Sequence, residues 1–327
     1  MQLQKYPQWL LLTGIFLILI FLPFLITSQH LMHILILAGL ECIAVMGFIA
    51  QYNVRLITFC TATFWGLGAY ASGFLSTKLG MNFWFCLPLA GVIAGCFALI
   101  IGLLVIRAGW VTFLMITVVM AEISVEAIGH MNLLGGWDGI TRIPRPAIGS
   151  YLFLSKASYY YLTLALVMVC VLIFKGLYKS AIGKAWTAIG QSPDLAESVG
   201  IDLFKYRMIA YVAAGFTSGL SGSLYAHYVS YIAPQTFDII RSLYISIDAV
   251  VGGLGFVISG PIVGSIILRA IPEWLRIADK YQPIFEGCFI ILCALFFRKG
   301  VIGLLSRYVV RPDEKSWKGV SVGDPGD

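Results

Sequence analysis

From Trp9 to Phe297 the chain is a succession of apolar runs, most of them near the twenty or so residues that carry a helix across a bilayer's hydrocarbon core. No other feature constrains the fold as tightly. A backbone in lipid must satisfy its own hydrogen bonds, so runs of this kind become helices. Composition agrees: of 327 residues, 59% are hydrophobic and 12% charged, half the roughly 25% usual in soluble domains. The expected fold class is an all-α integral membrane protein of about ten transmembrane helices.

Spans are expected near 9–28, 31–50, 56–76, 83–106, 110–129, 159–177, 207–229, 241–256, 258–275 and 283–298. The first apolar run follows Lys5, but it is longer than a signal peptide's apolar region and no A-x-A site follows it. The run holding the eighth and ninth spans is broken by Gly252-Gly253, Gly255 and Gly260-Pro261. Such breaks are tolerated at membrane depth only where protein or a cavity surrounds them, so two helices with a Gly/Pro-broken joint near 252–261 are expected. Residues 1–305 then form one transmembrane domain, and 306–327 a polar tail that reads as disordered.

An even span number puts both termini and the polar stretch 178–206 on one side. Fourteen of the 22 Lys and Arg fall there, against eight on the other, where Arg241 and Arg269 are counted. This positive-inside bias makes 178–206 a cytoplasmic loop and 130–158 external. The net charge of +6 is scattered, without the basic block that nucleic-acid binding needs. The seven cysteines lie in apolar runs without metal-ligand or disulfide spacing and read as small buried hydrophobes. The four histidines (His30, His33, His130, His227) read as interfacial. The external Gly135-Gly136-Trp137-Asp138-Gly139-Ile140 reads either as a gate or as a glycine turn packed under Trp137.

The loop 178–206 is punctuated like folded structure. Ser180 can cap a first short helix ending at Gly190. Ser192 can cap a second, with Pro193 at its first position, Asp194 at its positive end and Gly200 past its last turn. Asp202 can cap the next span. An ordered platform gripped by a soluble partner explains this better than a solvated turn.

Gly183-Lys184-Ala185-Trp186, Ala188-Ile189, Asp194, Ala196-Glu197, Gly200-Ile201 and Lys205-Tyr206 resemble the coupling loop of the branched-chain amino acid ABC transporter permeases, in their second permease subunit. The likeness continues in Ala213–Phe216, Gly219–Ala226, Ile232-Ala233-Pro234, Val250–Gly255 and Gly260–Gly264, and covers about 40–305. Two departures stand out. The family usually has an arginine and a carboxylate where this chain has Gly190 and Gln191, and Asp248 stands where the family is commonly apolar.

The resemblance implies a multi-pass subunit of a bacterial inner-membrane importer. Its partners would be a second related permease, two cytoplasmic ATPases and a periplasmic or extracellular solute-binding protein, with branched-chain or similar apolar amino acids as substrates. Related systems move urea or short amides. ATPase coupling would fall to Gly183, Lys184, Ala188, Asp194, Glu197 and Gly200. The chain is not expected to be an enzyme or to hold a cofactor: it lacks G-x-x-x-x-G-K-[ST], because Ala185 follows Gly183-Lys184 and Tyr178 stands at the first glycine. ATP must then be bound in trans.

Carboxylates inside the expected spans (Glu41, Glu122, Glu126, Asp248 and Glu286) are costly in lipid and are candidates for function or for internal hydrogen bonding. Glu122, Asp248, Gly252, Gly253 and Gly255 are the residues expected along a translocation pathway. A proton- or sodium-coupled secondary transporter using Glu122, Glu126 or Asp248 is the alternative from another class.

Overall fold

A computed structural model of the chain describes residues 19–23, 28–149, 151–274, 287, 291 and 300–303. Most of the first expected span, nearly all of the tenth, Glu286 and the tail 306–327 lie outside the described residues. The principal helices are α1 (Gln29–Asn53), α2 (Thr61–Lys78), α3 (Phe83–Val105), α4 (Trp110–His130), α5 (Lys156–Lys179), α6 (Ala181–Gln191), α7 (Pro193–Ser198), α8 (Leu203–Val229), α9 (Ile239–Gly252) and α10 (Ser259–Trp274). Four of them (α1, α3, α4 and α5) are long and apolar enough to cross a membrane.

The bundle is built around α8, which packs on α1, α2 and α3. Its small residues set these approaches, as expected of small residues in lipid, where close backbone contact replaces the hydrophobic drive. A Cβ on Gly222 would lie 1.8 Å from the Trp65 carbonyl oxygen of α2, and one on Gly219 2.6 Å from the Ala94 Cβ of α3. The small-residue spacing therefore serves packing within the chain.

The α9–α10 pair is an antiparallel hairpin laid mainly against α1. At 14 residues α9 is about 21 Å long, short of the roughly 30 Å hydrocarbon core. It ends where expected: Gly253 has φ 116°, and a Cβ on Gly252 would sit 2.0 Å from the Gly260 carbonyl oxygen.

The connections gather at two ends. At one, the α1–α2 turn and the α3–α4 turn meet the loop 178–206. At the other, short strands β1 (Ile140–Thr141), β2 (Ala147–Ile148), β3 (Tyr151–Leu152) and β4 (Tyr231–Ile232) order the α4–α5 and α8–α9 connections, with β1 antiparallel to β4 and β2 to β3. The Gly135–Ile140 segment is a glycine turn: Gly135, Gly136 and Gly139 all have positive φ, and Trp137 packs on Gly129.

Some expectations change. The third span begins at Thr61 rather than 56, because residues 57–60 run non-helically into the bundle, where the Cys60 amide bonds Thr58 Oγ1 at 3.1 Å. His227 lies in the last turn of α8, near a helix end as expected, but is fully buried there, held between Pro144 O at 2.6 Å and Ser72 Oγ at 2.9 Å. Cys42, Cys60, Cys86 and Cys170 are buried as expected, while Cys96 is exposed on α3.

Candidate functional site

Two assemblies stand out: the loop 178–206 at one end of the bundle and a group of charges inside it.

In the loop, the Ser180 hydroxyl accepts the Ile182 amide at 3.2 Å and Ser192 accepts Leu195 at 3.4 Å, so the expected caps start α6 and α7. Helix α6 runs one residue further than expected, to Gln191. Gly200 sits in the left-handed region at φ 85°. Its amide bonds Glu197 O at 2.9 Å, and that of Ile201 bonds Ala196 O at 3.0 Å, the two bonds of a Schellman ending. Asp202 then caps α8 by accepting the Lys205 amide at 3.0 Å.

What anchors this unit is mostly uncharged. Trp186 is fully buried and its Nε1 donates to Tyr206 O at 2.9 Å. Gly183 is buried because a Cβ there would meet the Tyr178 backbone at 2.3 Å. Ala188 is partly buried. Of the residues expected to couple, Lys184, Asp194, Glu197 and Gly200 are exposed, and Gly183 and Ala188 face the loop's own packing. Two apolar neighbours point outward with them: Leu195 is 69% and Val199 74% exposed. A cleft of about 500 Å³ lies alongside, lined by Ile106, Arg107 and Ala108 of the α3–α4 turn, by Glu197, and by Gly200–Phe204 and Arg207. Arg107 rests 4.7 Å above the Phe204 ring on its wall.

Inside the bundle, Glu41 of α1 is buried and its carboxylate is gripped by two arginines. Arg269 of α10 donates through Nε and Nη2 to its two oxygens, and Arg241 of α9 donates through Nη2. These arginines, counted on the outer side although both fall within expected spans, lie within helices, their side chains only 20% and 25% exposed. Arg241 also stacks 4.9 Å from the Trp65 ring, and Trp65 in turn meets Tyr225 and Phe237. Asp248, buried two turns along α9, acts electrostatically on both arginines. One Glu, one Asp and two Arg therefore balance at a place where a lone charge would be prohibitive.

Asp248, Gly252 and Gly253 thus belong to the α9–α10 hairpin that carries these charges, and Gly255 is exposed at its tip. Glu122 is elsewhere, exposed on the outer face of α4, with Glu126 one turn on and 3.4 Å from His130. The arginine partners of Glu41 were missed; the available signal was a cation, Arg269, in the middle of an expected span.

Membrane-length helices packed about a small-residue core, with ionised groups paired inside, define a multi-pass helical membrane protein. The chain belongs to the branched-chain amino acid transport system permease component family, which it matches over residues 30–296. The relatives it matches are named as transport-system permease proteins. The chain is 23% identical to the Escherichia coli high-affinity branched-chain amino acid transport permease LivM over 80% of its length and 66% of that protein's. The chain thus spans just under two thirds of the length of that relative. A probable LivH of Methanocaldococcus jannaschii is 26% identical over 72% of the chain and 76% of that protein. The Lactococcus lactis nucleoside ABC transporter permease NupC is 26% identical over 53% of the chain and 57% of that protein. No solved structure matches.

Proposed function

We propose that this chain is the ten-span permease subunit of an ABC importer that moves branched-chain or similar apolar amino acids inward. Its partners are a second related permease, two cytoplasmic ATPases that bind and hydrolyse ATP, and a solute-binding protein outside. The permease domain covers 1–305, the tail is 306–327, and both termini and the loop 178–206 face the cytoplasm of a bacterial inner membrane. The basic residues support this orientation, since Arg55, Arg107, Lys175, Lys179, Lys184, Lys205 and Arg207 gather at the loop's end of the bundle.

One observation carries the proposal: two capped helices, fixed to the bundle by Trp186, present Leu195 and Val199 to water beside an open cleft. A loop that merely joined two spans has no need to be rigid or to expose apolar side chains, whereas a docking surface needs both. Asp194, Glu197 and Gly200 ring the apolar pair, with Lys184 on α6. ATP-driven closure of the ATPases would move this unit and switch the pathway. Inside the membrane, the α9–α10 hairpin with Asp248, Gly252, Gly253 and Gly255, together with the open face of α4 at Glu122, is proposed to border that pathway.

The test is copurification with the partner ATPase, followed by substrate-stimulated ATP hydrolysis in liposomes. Glu197→Arg and Gly200→Val should leave the chain inserted and abolish the stimulation; normal stimulation in both sinks the coupling role. Collapsing the proton gradient in ATP-loaded vesicles should leave uptake intact, and loss of uptake would favour a secondary transporter instead.

A further inference from the structure

We infer that the three-residue turn ending α1, and Arg55 above all, is the seat through which the loop 178–206 acts on the membrane helices, with α1 as the transmitting element. This rests on the coupling role proposed above.

Each residue of the turn holds a different part of the loop's frame. Asn53 Nδ2 donates to Tyr178 Oη at 2.6 Å, where the chain enters the loop from α5. The Val54 carbonyl accepts from Arg207 Nε at 3.3 Å, where the chain leaves the loop into α8. Arg55 reaches the hinge between α6 and α7: its Nε and Nη2 both donate to Gly190 O at 3.1 Å, and Nη2 also to Gln191 O at 3.3 Å. A cation on the last carbonyls of α6 is favoured by the helix dipole and by charge-assisted bonding. Arg55 is held for this at φ 60°, a conformation a residue with a long side chain rarely adopts.

The seat also restricts the hinge residue. Gly190 cannot carry a side chain, because a Cβ there would stand 2.6 Å from the Asn53 carbonyl oxygen. The contact fastens the hinge of the loop to the end of α1.

The other working part of α1 is Glu41, about 18 Å away at the helical rise, which grips Arg241 and Arg269. Helix α1 is therefore the element that touches both the hinge and the charged α9–α10 hairpin. An exposed contact of the Arg55 kind adds little to stability, so its value lies in fixing position.

The test uses the full complex in liposomes with its binding protein, comparing Arg55→Ala, Arg55→Lys and Gly190→Ala with the parent chain. Arg55→Ala should still copurify with the ATPase, yet lose about five- to tenfold of its substrate-stimulated over unstimulated ATP hydrolysis and spend more ATP per molecule imported. Arg55→Lys, which keeps a cation but not the fork, should recover part of the ratio. Gly190→Ala, which wedges the seat open from the loop side, should lose it as Arg55→Ala does. A merely structural role would lower yield without changing ATP spent per import. Unchanged ratios in both Arg55→Ala and Gly190→Ala overturn the inference while leaving the permease proposal intact; failure of the parent chain to copurify with an ATPase overturns both.

Discussion

At the scale of single residues, the buried Glu41–Arg241–Arg269 group has the sharpest consequences. Removing one member of a buried ionic group strands the others, which costs about 3–5 kcal/mol. Glu41→Gln should accordingly lower the Tm of the detergent-solubilised chain steeply, since two arginines would remain inside the bundle. Replacing Glu41 and Arg269 together by apolar residues should cost less than the sum of the single changes, and the double-mutant cycle reads the difference. Strict additivity would mean the contact is not formed in the folded chain. Glu41 is visible in the sequence as a carboxylate inside an apolar run, but its partners are not. Arg269 lies 228 residues away, and nothing in local spacing links them. Loop residues are the opposite case. Ser180, Ser192, Pro193, Gly200 and Asp202 act on neighbours within a few residues, so the sequence alone discloses their roles.

At the scale of elements, helix-to-helix approach is set by where a side chain is forbidden. Gly222→Val would push a branched side chain into the Trp65 carbonyl across the α2–α8 crossing, where even a Cβ falls at 1.8 Å. Overpacking typically costs about 1–3 kcal/mol, and a backbone obstacle that cannot rotate away places this site at or above the upper end. Loss of folded, monodisperse protein in mild detergent is the expected result. Gly176→Ala is the matched control. It lies in α5 with open space around its Cβ, and Ala in place of Gly in a helix should be neutral or gain up to about 1 kcal/mol. Equal behaviour of the two variants would contradict the α2–α8 packing. Small-residue spacing on α3 and α8 is plain in the sequence, and it correctly marks faces of close approach. Which faces meet is not written in a spacing, because any small-residue stripe fits another. The same limit applies to the α1–α2 turn: Arg55 reads as a positive-inside cation, and only the folded chain shows it spent on the hinge of the loop.

At the scale of the whole molecule, the open side of α4 indicates what surrounds the chain in the assembled transporter. Met115, Val119, Glu122 and Glu126 recur at helical spacing on one face, and all four are exposed. Elsewhere the exposed helix surfaces are what lipid prefers, as on α3 with Leu99, Ile100, Leu103 and Leu104. A carboxylate twelve residues into a 21-residue helix cannot share that environment, since each charge at membrane depth costs about 2.5–3.5 kcal/mol even on insertion scales. That cost is the reason for proposing that the α4 face meets water or polar protein and borders the pathway. The chain supplies its own reference for the lipid side in Cys96, exposed on α3. Thiolates react and thiols in hydrocarbon do not. Val119→Cys keeps Glu122 in place and should be modified by a charged, membrane-impermeant thiosulfonate at least about tenfold faster than Cys96. Substrate-loaded binding protein and ATP should change that rate if the proposed switching opens and closes the pathway to water. A cysteine at 119 as inert as Cys96 in every state would place the face against lipid or dry protein, and Glu122 would lose its place along the pathway.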